Sequence, residues 1–112
     1  MQREIDTSNL TAFGIEDHPA ADALRPDPEQ VRIASDFLSQ YARTTQRWTP
    51  RLSSYGVKHR VERWHAARSG SFMSIANGAA ILAAINAGFE VSRAMAGSPN
   101  AKFKFKLVKV AE

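Results

Sequence analysis

Residues 69–89, "SGSFMSIANGAAILAAINAGF", carry no charged side chain. In a chain of 112 residues such a segment has to be buried, and the rest of the fold has to be arranged around it. Ile75, Ala79, Leu82 and Ile85 recur at helical spacing, so the pattern predicts a helix that begins at Ser74, stops at Gly88 and forms the most buried element. Serines, asparagines and glycines interrupt it, and its solid apolar part is shorter than the ~20 residues needed to span a bilayer. The expectation is a single domain with no membrane contact. The side of this helix bearing Asn77, Ala80 and Ala84 is small, which suits close packing of another helix or of a partner subunit and admits a homodimer through helix 74–88.

Upstream, "RPDPEQVRIASDFLSQYART" changes the signal sharply. Asp27 can cap a helix, Pro28 fits its first position, and Gln30 completes a capping-box-like pattern. Ile33, Ala34, Phe37, Leu38 and Tyr41 form the apolar stripe. Pro50 and its neighbouring threonines and serines predict a connection, after which Ser53 or Ser54 caps a second helix. On that helix Val57, Val61 and Trp64 point one way and His59 and Arg63 the other.

After Gly88 the period becomes two. Phe89, Val91 and Met95 alternate with polar or small residues, "AGSPN" makes a turn, and Phe103, Phe105 and Leu107 alternate with Lys102, Lys104 and Lys106. The expected fold is therefore α+β: three helices followed by a C-terminal β-hairpin, resembling a winged helix at the level of architecture only.

Charge divides the chain. Residues 1–30 hold two arginines against seven acids, a balance of −5, and the remainder holds thirteen bases against four acids, or +9. Residues 1–26 read as an acidic, partly flexible arm with Leu10, Phe13, Ile15 and Leu24 as scattered anchors, and residues 27–112 as one basic domain. The stretch at residues 43–68 contains Arg43, Arg47, Arg51, Lys58, Arg60, Arg63 and Arg68 against Glu62 alone, with Tyr41, Trp48, Tyr55 and Trp64 interleaved. Arginines suit phosphate contact and aromatics stack on bases, so the composition fits a surface that follows a nucleic-acid backbone. Lys102, Lys104 and Lys106 could add to it as a wing or could protect a strand edge. The uncharged third helix leaves little for direct base readout.

His59, Glu62 and His65 suggest a metal set, but their helical angles diverge, so no metal site and no cofactor are expected. His59 and Glu62 could act as an acid/base pair, yet no nucleophile or second carboxylate accompanies them, and exposed His–Glu neighbours on helices are commonly ion pairs. The chain is read as a non-enzyme. The absence of cysteine removes disulfides and thiolate metal sites and fits a cytoplasmic setting. "MQREIDTSNL" lacks the basic start and apolar run of a signal peptide.

"SYGVKHRVERW", "IANGAAILAAINAGFEV" and "GSPNAKFKF" together resemble small uncharacterised proteins encoded by bacteriophages, plasmids and integrative elements. The resemblance rests on Tyr55, Gly56, Lys58, His59, Glu62, Asn77, Gly78, Gly88, Phe89, Pro99, Asn100 and Ala101. It implies a mobile-element origin in a bacterial host cell and carries no mechanism. The leading expectation is an accessory protein that binds DNA, RNA or a nucleoprotein assembly through Arg43, Arg47, Arg51, Tyr55, Lys58, His59, Arg60, Arg63 and Arg68, helped by the three lysines. The alternative is a stoichiometric inhibitor of a host defence complex, of the anti-CRISPR or anti-restriction type. A third expectation is that the acidic arm competes for the basic surface.

Overall fold

A computed structural model describes residues 5–108. Helix α1 (Pro28–Tyr41) starts where the sequence places it, with Pro28 in the first turn. The capping box does not form: Asp27 makes no side-chain cap, and the Gln30 amide oxygen instead accepts from Ala76 N–H at 2.8 Å. Gln30 thus ties α1 to the entrance of the third helix. Helix α2 (Ser54–Ser69) is capped by Ser53, whose hydroxyl accepts from Gly56 N–H. The Ser54 hydroxyl is fully buried and accepts from Ala101 N–H at 2.9 Å.

Helix α3 (Asn77–Asn86) begins later than Ser74 and is buried on most of its circumference, including Gly78, Ala79, Ala80, Ile81, Ala83 and Ala84. It packs chiefly against α1 and then against α2, while Phe37, Tyr41 and Trp64 form an aromatic cluster between those two helices. Asn77, Ala80 and Ala84 are covered by the chain itself. The small-residue side is therefore used internally, and the expected homodimer through helix 74–88 has no free face there.

Residues 5–26 dock on the body through two of their apolar anchors, Leu10 and Ile15. A 3-10 turn (Thr7–Asn9) leads into β1 (Leu10–Thr11) and β2 (Gly14–Ile15), which pair antiparallel as Leu10↔Ile15 and Thr11↔Gly14. Leu10, Thr11 and Ile15 are buried; of the four apolar anchors, only Phe13 and Leu24 stay exposed. Ala12 donates to Leu24 O at 2.8 Å and accepts from Gly78 N–H at 3.1 Å. This closeness requires glycine at 78, because a Cβ there would lie 1.8 Å from Thr11 O. The Asn77 amide nitrogen donates to Phe13 O, Pro99 O and Asn100 Oδ1, so Asn77, Gly78, Pro99 and Asn100 meet at one junction that locks the N-terminal segment onto α3. Arg93 completes it, donating to Ser98 O and Ile15 O and pairing with Asp17.

The strands also differ from a simple hairpin. β4 (Val91–Arg93) and β5 (Ala101–Phe103) pair antiparallel, with residues 94–100 as the connection; Met95 is exposed beyond the strand. A bend at Lys104 then separates β5 from β6 (Phe105–Leu107), and β6 pairs with β3 (Ala42–Thr44), the strand that follows α1. Phe103 and Phe105 remain buried and stack at 4.7 Å, and Phe89 packs on Phe105. The α+β class holds. The order of three helices followed by a hairpin does not, since strands precede α1 and separate it from α2. Nor is the third helix exposed as a recognition helix must be. No helix among the described residues is long and apolar enough to cross a membrane.

Candidate nucleic-acid interface

The basic residues separate into two groups. The first lies on a ribbon in which residues 42–53 run beside residues 102–107. Thr45 N–H donates to Lys104 O at 2.9 Å, Thr49 N–H donates to Phe103 O at 3.0 Å, the Thr49 hydroxyl donates to Phe105 O, and Ser53 bridges to Lys102. Arg43, Arg47 and Arg51 are thereby carried onto the same ribbon as Lys102, Lys104 and Lys106. Arg43 and Lys106 are cross-strand partners in the β3–β6 register. Both are exposed, and paired residues share one face, so two like charges stand side by side.

Trp48 sits within this ribbon. The Lys102 and Lys104 ammonium groups lie 4.9 and 5.0 Å from its ring centroid, within the range of a cation–π attraction. Lys104 is also held by Glu90, Nζ to Oε2 2.6 Å, as their opposed positions in the sequence suggest. The three lysines are therefore not one equivalent row: Lys104 is committed, whereas Lys102 and Lys106 have no carboxylate partner among the described residues.

The second group lies on α2. Tyr55, Arg60, Arg63 and Arg68 are exposed, and Arg68 lies over the Trp64 ring at 4.8 Å. Lys58 and His59 behave differently. Glu62 is only 6% exposed and bonds both: Lys58 Nζ, itself drawn in, is 3.1 Å from Oε2, and His59 Nδ1, on a ring that stays partly exposed, is 3.1 Å from Oε1. The same carboxylate accepts from Ile75 N–H at 2.8 Å. Burial alone would raise the Glu62 pKa, but the Ile75 amide, the Lys58 ammonium and the His59 ring together hold it below its ordinary value. Tyr55 packs edge-on against the His59 ring at 4.5 Å. The Glu62 carboxylate thus joins α2 to the segment before α3, and its hydrogen-bonding capacity is spent on structure.

His65 lies apart, in a groove of about 260 Å³ lined by Arg32, Ile33, Asp36, Trp64, Arg68 and Ser69. Among the described residues no group of three or more His, Asp or Glu side chains could hold a metal ion.

The ion pairs explain where the positive charge goes. Beyond residue 30 the described acids are Asp36, Glu62 and Glu90, and each is paired: with Arg32, with Lys58 and His59, and with Lys104. Arg43, Arg47, Arg51, Arg60, Arg63, Arg68, Lys102 and Lys106 take part in no ion pair among the described residues. The acids of residues 5–26 do not reach them either, since their one ion pair to the body is Asp17–Arg93. Sequence reasoning missed the burial of Glu62 and the clamps made by Gln30, Ser54 and Arg93. A signal for Glu62 existed: it is the lone acid in a basic stretch, four residues after Lys58 and three after His59.

Comparison with protein-family models, with curated proteins and with solved structures gives no match.

Proposed function

We propose that this chain binds nucleic acid through the ribbon and the outer face of α2, contacting phosphates with Arg43, Arg47, Arg51, Arg60, Arg63, Lys102 and Lys106. The observation that carries the reading is the pairing pattern: the described acids of the body are consumed by internal ion pairs, and the remaining cations are left without an acidic partner among the described residues, all of them exposed except the half-buried Lys102. Each such cation can displace condensed counterions from a phosphate backbone, which makes binding favourable and salt-dependent. The reading is of a binding protein and not an enzyme, because Lys58, His59 and Glu62 are engaged with one another and with the Ile75 amide. An accessory role in a phage or mobile element, which the Tyr-Gly-x-Lys-His pattern implies, belongs to the same proposal.

The test is fluorescence anisotropy with short labelled DNA and RNA. Affinity is expected to fall by more than tenfold between about 50 and about 200 mM salt, corresponding to several phosphate contacts. Absence of binding to either nucleic acid at the lower salt would remove the proposal. A host-lysate pull-down giving a stable complex that survives nuclease treatment would favour the inhibitor of a defence complex instead. That second reading is supported by the exposed Phe13 and Leu24, on segments joined by the backbone hydrogen bond from Ala12 N–H to Leu24 O.

A further inference from the structure

Beside Trp48 the ribbon leaves an open hollow of about 530 Å³, lined by Trp48, Thr49, Pro50, Arg51, Leu52, Ser53 and Lys102. We propose that this hollow seats an unpaired base of a single-stranded nucleic acid, with Arg51 and Lys102 taking the adjoining phosphate. The inference rests on the nucleic-acid reading above and narrows it to one strand form and one site.

Four observations converge. The lining combines apolar surface from Trp48, Pro50 and Leu52 with the cations Arg51 and Lys102, which is the combination a base and its phosphate require. A base inside a duplex is stacked on both faces and cannot enter, and α3, the helix that a winged-helix arrangement would place in a major groove, is buried. Lys102 contacts the indole but no carboxylate, so it can exchange a cation–π contact for a phosphate; Lys104, held by Glu90, stays and steadies the ring. Arg51 has φ of 63°, a left-handed conformation that a non-glycine residue keeps only where its surroundings impose it. Those surroundings are the Thr49–Phe103 hydrogen bond on one side and the Ser53–Lys102 bridge on the other, so the hollow is preformed. Its last residue, Ser53, caps α2, and the positive end of that helix adds to the attraction for phosphate.

The experiment compares three labelled probes of equal length on the full chain: oligo(dT), the same strand with abasic sites throughout, and a duplex. Oligo(dT) is expected to bind at least about fivefold more tightly than the abasic strand, since stacking on an aromatic side chain favours any base. Trp48→Ala should erase that difference, Trp48→Phe should keep most of it, and duplex binding should change little in either. Circular dichroism reports whether Trp48→Ala still folds; if it does not, the abasic comparison on the unmodified chain decides alone. Equal affinity for oligo(dT) and the abasic strand overturns this inference and leaves the broader reading intact. Failure to bind any of the three probes overturns both.

Discussion

The Glu62 node on α2 and the Arg43–Lys106 pair on the ribbon treat positive charge in opposite ways. Around Glu62, Lys58 is drawn in until its side chain is 14% exposed, and every charge has a partner. On the ribbon, two exposed cations stand opposite each other in register with no carboxylate among the described residues to separate them. The first arrangement completes the interior. The second is unfavourable in isolation, and a protein keeps such a local cost where a partner removes it. Both involve residues of one basic stretch, so the density of basic residues in a sequence does not say which of them are free to bind.

The comparison can be broken most strongly at Glu62. Glu62→Ala strips Ile75 N–H of its acceptor and leaves the Lys58 ammonium partly buried and unpaired, which should cost about 3 kcal/mol of stability in urea denaturation. The folded fraction should still bind nucleic acid with nearly unchanged affinity. A loss below about 1 kcal/mol would mean that the node does not join α2 to α3.

A gentler probe of the same node is pH. The folded-state pKa of Glu62 lies below its ordinary value of 4.5, so the carboxylate stabilises the fold fully above that value and the contribution is lost as pH falls through the folded value. Wild-type urea midpoints should therefore drop below about pH 4.5. In Glu62→Gln the starting stability is lower and the acid-induced decline shallower. Parallel curves for the two proteins would contradict the assignment.

What could be read in the sequence followed from how local each cause is. The start of α1, a serine cap on α2 at Ser53 or Ser54 and the inward set of Val57 and Val61 depend on residues within one or two turns, and they emerged from spacing. The partner of β6 lies in β3, far upstream, and period-two alternation in "KFKFKL" says that a strand exists without saying what it pairs with. Residues 5–26 read as a partly flexible arm because they are polar and acidic. What docks their β1–β2 portion is a missing side chain at Gly78 and an amide at Asn77, neither of which carries a hydropathy signal. At the candidate site the basic composition was legible, but the sorting into spent and free cations was not. That sorting depends on whether Glu62 faces in or out, and a charged helical residue ordinarily faces out. Trp48 was visible as an interleaved aromatic, while its position between Arg51 and Lys102 required the ribbon.

The smallest expected effect sharpens the comparison most, because it has opposite signs in two measurements. Lys106→Gln removes one of two like charges across the β3–β6 register, so stability should stay level or rise by a few tenths of a kcal/mol. Nucleic-acid affinity should fall about threefold at low salt, and the slope of log affinity against log salt should shrink by about 1. Lys106→Glu goes further, giving Arg43 a cross-strand partner: stability should rise by about 0.5 kcal/mol while affinity drops about tenfold, since a repulsive group now faces the phosphates. A residue kept only to protect a strand edge would show no such split, and neither would one that merely rims the fold. If Lys106→Glu leaves affinity untouched, the Arg43–Lys106 pair lies outside the binding surface, and the contacts must be sought on α2 and beside Trp48.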